Sequence, residues 1–562
     1  MPYLLLPFRL LIHGLLNALR LLGKAPDYVT FTLEGPYPEM VPPRPPFPKR
    51  LLSPKKPSLR DLRAQMRQVA ADRRVKGVVL RIYSVGSSMA SLQSLRDLIT
   101  EVRAAGKRVI VWSNHYDMAS YYVACAADEI LLQHVGGVTA LGVRQGYVFL
   151  ADALHRIGLE AEFIQISPFK TAGDMLTRSE ISEENREMAT WLVEDIFSQY
   201  VEGIAAGRGI SAEAALALID QGPYSGDTAT ESGAVDGLTN EEQLPKHLGT
   251  EKRPARLADY GVAKKRLLLP PLRMPGKYVA LVRIAGDIID GRSSVPPVNP
   301  PFRIPLLFSE RAGDLTVVQQ ARALAKNRRA AAAVIFVDSG GGSATSSEAM
   351  AAAFSDVAKK KPLIISMGDV AASGGYYVAT PGSTILAQPG TLTGSIGVLA
   401  GKLVNAGLYE KLLWHREIIS RGKHVEMLSA SRRFTDEERH SMFDQINRTY
   451  GVFLDRVAAS RKMTPEAVDV VGGGRVWTGS QAAKHGLVDE FGGLDLAIRR
   501  AREKAGLGRR SRVVEVKAGK KLLAPMAVDA SAWLAYALEG IRCLRPGNVL
   551  ALCPIVPEDD AP

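Results

Sequence analysis

The chain has 562 residues, 46% hydrophobic and 23% charged. These are ordinary fractions that exclude a disordered, collagen-like or disulfide-stapled protein, and its three cysteines, Cys125, Cys543 and Cys553, are too scattered for a disulfide framework or a zinc site. The net charge of +13 invites a nucleic-acid partner, but residues 1–60 carry nine Lys/Arg against three Asp/Glu and residues 501–525 eight against two, leaving a near-neutral middle with no basic stripe for tracking phosphates.

Residues 1–26 open with a Leu-rich run whose polar members Arg9, His13, Asn17 and Arg20 fall within about 80° of one another on a helical wheel. A membrane span needs about 20 apolar residues. This run is shorter and has Arg at both ends, so it reads as an amphipathic helix lying in a membrane interface. A cleaved leader fits less well, because no small-x-small site follows the apolar run.

From residue 27 the chain is written twice. Tyr28 to Gly35 matches Tyr278 to Gly286, each an alternating strand ending in Gly and followed by a proline-rich loop (36–57 and 296–305). The apolar strands beginning at Val78 and Val334 each lead into a small-residue loop and a helix. Met118 to Tyr122 then matches Ala371 to Tyr377, and Tyr224-Ser-Gly with Gly233-Ala-Val-Asp matches Trp477-Thr-Gly with Gly486-Leu-Val-Asp. The offset runs from 250 to 256 and stays at 253 over the later matches. Length alone suggests three or four domains; the repeat replaces them with two copies of one α/β domain. Short β-rich runs alternate with Ala/Leu-rich helices, which implies parallel strands joined by right-handed crossovers. The expected organisation is a first repeat at 27–254, a linker at 255–276, a second repeat at 277–505 and a basic extension at 506–562.

Two features of the second repeat could carry chemistry. An apolar strand runs through Ala371-Ala-Ser373-Gly374-Gly375 into a Tyr/Val/Ala helix. A serine at the helix start is placed for nucleophilic attack, with the N–H of Gly374 open to a developing oxyanion; taken alone, though, an N-cap is the commoner job for a serine in that position. Asp338-Ser-Gly-Gly-Gly-Ser343 is a glycine run at the end of a buried strand. It could aim backbone N–H groups at an oxygen or be a plain tight loop, and it lacks the spacings of a dinucleotide or P-loop fingerprint. No histidine has an evident carboxylate relay. A lysine can replace it as base if burial lowers its pKa toward 7–8. Lys170, at an apolar strand end, is one candidate, although spacing alone does not select it from the other basic residues.

The SGGGS loop (339–343), the AASGGYY turn (371–377), GTLTGSIGV (390–398), Phe169-Lys170 and VWTGSQAAKHGLVDEFGGL (476–494) together resemble the signal peptide peptidase A family in its long duplicated form, also called protease IV. The similarity runs from about residue 27 to 505. The resemblance implies two tandem domains of the crotonase and Clp protease type and a serine endopeptidase with a Ser–Lys dyad. Ser373 would be the nucleophile, Lys170 the general base, and the N–H groups of Gly341 and Gly374 the oxyanion donors. Asp338 and Gly340 stand where the family has Asn and Pro. The resemblance further implies short apolar peptide substrates such as cleaved signal peptides, no metal or organic cofactor, a homotetramer, and the periplasmic side of a bacterial inner membrane. A crotonase-type acyl-CoA enzyme and a non-catalytic membrane scaffold are the alternatives on the same fold. The first repeat has lost the glycine run (Tyr83 to Ser88), and its Ser120 is followed by Tyr121; yet Ser120 and Lys423 lie 253 residues from Ser373 and Lys170, so a second, weaker dyad is an open alternative.

Overall fold

The computed structural model describes residues 6–42, 57–86, 88–272, 275–296, 309–516, 536 and 549–554. Most of both proline-rich loops and much of the C-terminal extension therefore lie outside the described residues. The chain forms two compact units. The first gathers the described residues up to Arg144 together with Glu194–Gly276; the second gathers Gln145–Val193 with the described residues from Lys277 to 554. The compact units and the sequence repeats differ in three respects: residues 145–193, written in the first repeat, pack with the second; the expected linker 255–276 belongs to the first unit, whose sheet takes in Leu257–Asp259; and the expected extension from residue 506 supplies Val513–Glu515 and Val549–Leu552 to the sheets of the second.

The first unit is built on a seven-stranded sheet in the order Tyr224–Ser225, Glu129–Thr139, Arg108–Asp117, Gly77–Ile82, Tyr28–Leu33, Leu257–Asp259, with Gly237–Leu238 beside Glu129–Thr139. Every pairing except that of Tyr224–Ser225 is parallel. Val78, Val79 and Leu80 are all fully buried, as expected of a central parallel strand covered on both faces. Helices Leu59–Ala71 and Met89–Ala104 contribute Leu62, Met66, Leu95 and Leu98 to that core.

The second unit repeats this plan and adds to it. Its eight-stranded sheet runs Val476–Thr478, Leu392–Gly394, Leu363–Ala372, Ala330–Ser339, Tyr278–Ala285, Val513–Glu515, with Thr384–Ala387 and Glu490–Phe491 off that path. Its three longest strands, Tyr278–Ala285, Ala330–Ser339 and Leu363–Ala372, pair in parallel. A second, six-stranded sheet runs Arg311–Gly313, Asp287–Ile289, Gly341–Ser343, Val549–Leu552, Leu399–Val404, Glu160–Gln165.

The duplication extends to single hydrogen bonds. Asp236 accepts from the N–H of Ile130 at 2.7 Å and pairs with Arg208; Asp489 accepts from the N–H of Ile385 at 2.7 Å and pairs with Arg461. The Tyr121 hydroxyl donates to the Ala234 carbonyl at 2.8 Å, and that of Tyr376 to the Leu487 carbonyl at 2.9 Å. These are two tandem α/β domains of one design.

The N-terminal helix Leu6–Leu22 buries none of its residues. Its polar stripe faces the protein: His13 Nε2 lies 3.0 Å from the Pro270 carbonyl, Asn17 accepts from the N–H of Leu269 at 2.7 Å, and Arg20 donates to the Lys264 carbonyl at 3.1 Å. The apolar face, with Phe8, Leu11, Leu15 and Leu19, is exposed. An amphipathic helix on a globular domain normally does the reverse. Among the described residues no helix is long and apolar enough to cross a membrane.

Candidate active site

Ser373 ends strand Leu363–Ala372 and begins helix Gly374–Ala379 in a left-handed conformation, φ 55° and ψ −116°. A non-glycine residue is strained there. The turn is held by the Ser373 N–H on the Gly394 carbonyl, 2.8 Å, and by the Tyr377 N–H on the Ser373 carbonyl, 2.9 Å. The Ser373 side chain makes no cap hydrogen bond, so the N-cap alternative does not describe it. Ser120 in the first repeat does act locally: its N–H and hydroxyl close a capping box with Asp117.

The Lys170 segment is fixed from several sides. Strand Glu160–Gln165 pairs antiparallel with Leu399–Val404 over six residues. The Ile166 N–H continues the pairing to the Val398 carbonyl at 3.2 Å, and a turn closes with the Lys170 N–H on the Ser167 carbonyl at 3.1 Å. Phe169 stacks on Trp191 at 6.2 Å, Trp191 on Trp477 at 4.8 Å, and the Arg475 guanidinium lies 4.0 Å over the Phe169 ring. Gly474 passes so close that a Cβ there would stand 2.6 Å from Lys170 Cα.

The outcome is direct contact. Lys170 Nζ lies 2.8 Å from Ser373 Oγ and 2.9 Å from both the carbonyl and the hydroxyl of Ser395. Lys170 and Ser373 are both fully buried. Burial pushes the Lys170 amine from its ordinary 10.5 down to about 7, while the nearby Cys553 works in the opposite direction. A neutral amine has two N–H groups and one lone pair. In the neutral form two N–H groups can donate to the two oxygens of Ser395, which leaves the lone pair for the Ser373 hydroxyl; that hydroxyl also lies 3.5 Å from the Gly397 carbonyl.

Ser395 was not singled out from the sequence, where it sits inside GTLTGSIGV. Its own φ of 50° marks it as a second strained residue, and it is a positioning residue for the amine. Losing its hydroxyl removes an acceptor that interacts more strongly with an ammonium than with an amine. Ser395→Ala is therefore expected to lower kcat/KM about tenfold and to move the low-pH limb of the rate profile to lower pH. A profile displaced in rate but with an unchanged midpoint would reduce Ser395 to a packing role.

The glycine loop lies alongside. A Cβ on Gly341 would come within 2.7 Å of Gly374 N, so the two backbones are adjacent. Gly374 opens its helix, where an N–H has no intrahelical acceptor. The Gly341 N–H donates to Ser339 Oγ at 3.1 Å, and Ser339 Oγ in turn donates to the Gly286 carbonyl at 2.6 Å. Asp338, in place of the family's Asn, accepts from the Val370 N–H at 3.2 Å and so ties the loop to the neighbouring strand. Lys423 is not part of this buried contact: its side chain is 69% exposed and paired with Glu437. Among the described residues no group of three or more His, Cys, Asp or Glu could hold a metal ion.

A strained serine in contact with a buried, weakly basic amine beside a glycine loop is the equipment of a serine hydrolase. The model of Peptidase family S49 matches residues 101–253 and 355–508, one match in each repeat. The chain is similar to the chloroplastic serine protease SPPA of Arabidopsis thaliana, 32% identical over 472 residues (82% of this chain and 68% of that one). It is also similar to Protease 4 of Salmonella typhi, 29% identical over 463 residues (80% and 72%), and to Protease 4 of Haemophilus influenzae, 28% identical over 469 residues (80% and 73%). The chain belongs to peptidase family S49 and is a serine protease, which leaves the acyl-CoA and scaffold alternatives without support.

Proposed function

We propose that the chain is a membrane-associated endopeptidase working through a Ser373–Lys170 dyad on short, extended, apolar peptides such as cleaved signal peptides. The 2.8 Å contact between Lys170 Nζ and Ser373 Oγ carries the reading. Neutral Lys170 accepts the Ser373 proton as Oγ attacks the scissile carbonyl. The N–H groups of Gly374 and Gly341 donate to the tetrahedral oxyanion, Gly341 sharing or giving up its bond to Ser339. Protonated Lys170 passes its proton to the leaving amine, and water deprotonated by the same lysine releases the acyl-enzyme. With the amine at about 7, the base form is about a tenth populated at pH 6 and about nine tenths at pH 8, so the rate rises with pH across that window. A fluorophosphonate probe is expected to label the wild type and not Ser373→Ala; equal labelling of both would overturn the dyad.

Membrane association rests on the exposed apolar face of helix Leu6–Leu22. Double substitution of Leu11 and Leu15 by Glu is expected to reduce co-sedimentation with vesicles containing anionic lipid by about tenfold or more. Unchanged binding would remove the helix from the proposal. The periplasmic face of a bacterial inner membrane is the location proposed with it.

Assembly as a homotetramer is supported by the repeat. Residues 413–418, offset by 253 from strand Glu160–Gln165, are not a strand here, and Leu413, Trp414 and Ile418 are exposed. Residues 146–151, the counterparts of Leu399–Val404, lie outside any strand. Pairing these two segments between copies would repeat the intrachain pairing head to tail, the kind of contact that closes rings.

A further inference from the structure

Two strands flank the dyad in the six-stranded sheet, Gly341–Ser343 and Leu399–Val404, and they are not paired with each other. Between them lies a gap one strand wide, filled by Val549–Leu552 from the C-terminal extension. That strand runs antiparallel to both neighbours: Gly341, Gly342 and Ser343 face Leu552, Ala551 and Leu550, while Leu399 and Ala400 face Leu550 and Val549. Its downstream end stands at the chemistry. The Cys553 N–H donates to the Gly340 carbonyl at 2.7 Å, and the Leu552 carbonyl lies 3.5 Å from Ser395 Oγ. Leu550 and Ala551 are buried, and Cys553 packs with Met188, Leu392 and Val476.

This is how a sheet edge holds an extended peptide: main-chain hydrogen bonds to the neighbouring strands, with alternate side chains turned into pockets. A peptidase nucleophile must be reachable by peptide, yet Ser373 and Lys170 have no exposed surface, and the peptide lying beside them is the chain's own. A second anchor stands upstream. Tyr536 is buried, the Arg311 guanidinium lies 3.9 Å over its ring and donates to its carbonyl at 2.9 Å, and its hydroxyl donates to the Ser309 carbonyl at 2.6 Å. A strand tethered this closely competes at an effective concentration on the order of millimolar.

We propose that Val549–Cys553 is an intramolecular competitor seated in the substrate cleft, and that its register marks where an extended peptide substrate lies. This rests on the Ser373–Lys170 reading. A substrate must displace the strand, so its removal lowers KM more than it changes kcat.

The test compares the full chain with a chain ending at residue 548 and with full-length Ala551→Arg, whose charge cannot stay in a buried position and ejects the strand without shortening the chain. Both are expected to show about a tenfold lower KM on a fluorogenic aliphatic peptide and faster fluorophosphonate labelling of Ser373. A synthetic peptide spanning residues 546–554 should inhibit the truncated chain competitively. Unchanged KM and labelling rates in both variants would overturn the inference and leave the dyad intact. Loss of labelling in both, with an unaltered circular dichroism spectrum, would also overturn it, since the strand would then be part of the working fold. Suppression that fades on dilution of the full chain would exclude a competitor in the same chain. Absence of Ser373-dependent labelling in every form would instead sink the dyad.

Discussion

Replacing Lys170 by Met is expected to lower kcat/KM by about four orders of magnitude while the protein stays folded. Met keeps most of the buried volume and removes the amine 2.8 Å from the Ser373 hydroxyl, leaving the Gly397 carbonyl, 3.5 Å from Ser373 Oγ, which is too weak a base to take its proton. Among the described residues the amine has no carboxylate partner; its hydrogen-bond partners are Ser373 Oγ and the two oxygens of Ser395. Deleting it therefore leaves no buried countercharge behind, and the stability cost stays small. Ser373→Ala should fall as far, and the double variant scarcely further, because members of one catalytic unit are not additive. Lys423→Met is the control for the second-dyad alternative. That side chain is exposed and paired with the equally exposed Glu437, a solvent-screened surface contact that contributes little, so its loss should leave the rate unchanged. Undiminished hydrolysis in Lys170→Met, or a large loss in Lys423→Met, would reverse the assignment of the base. Peptide-hydrolysis kinetics on the four purified variants decide the matter.

The second large effect comes from a residue with no side chain. Gly474 has φ 90°, and a Cβ there would stand 2.6 Å from Lys170 Cα and 2.7 Å from Lys170 N. Both contacts are with backbone, which cannot rotate away. Gly474→Ala must therefore move the lysine segment, and a misplacement of about 1 Å can cost about a hundredfold in rate. The expected result is a loss of that order in kcat with Ser373 still present and unaltered in sequence. The control is Gly486→Ala, also at positive φ (73°) but with nothing within 4 Å of its Cβ. It carries the backbone strain without the collision and should retain activity. Equal kcat losses in the two variants would point to general destabilisation and away from displacement of Lys170.

The parts of this molecule that could be read in advance are those encoded by local pattern or by internal comparison. The 253-residue offset exposes the tandem domains because paired residues such as Asp236 and Asp489 serve the same hydrogen bond in each copy. Composition could not select Lys170. It stands 203 residues from Ser373, and its low basicity arises from folding, which encloses it between Gly474, Gly397 and Ser395. Ser395 itself was hidden because a serine in a glycine-rich run resembles any turn residue; its positive φ, not its identity, distinguishes it. The polar stripe of helix Leu6–Leu22 was plain on the wheel, but not that this stripe would dock through His13, Asn17 and Arg20 and turn the leucines outward. The short apolar run Val549–Leu552 sits in an extension whose basic character drew attention to charge, and only the one-strand gap beside Gly341 gives it meaning.

The placement of Lys170 in one repeat and Ser373 in the other has a consequence for the order of synthesis. If the proposed dyad holds, a ribosome makes the base first, the nucleophile 203 residues later, and the strand Val549–Leu552 last of the three. A nascent first half carries a lysine with nothing to activate, and a second half made alone would carry a serine with no base. On the proposed dyad, cutting power would arise only when both halves have emerged and residues 145–193 have joined the second unit, so an incomplete product would carry no working pair.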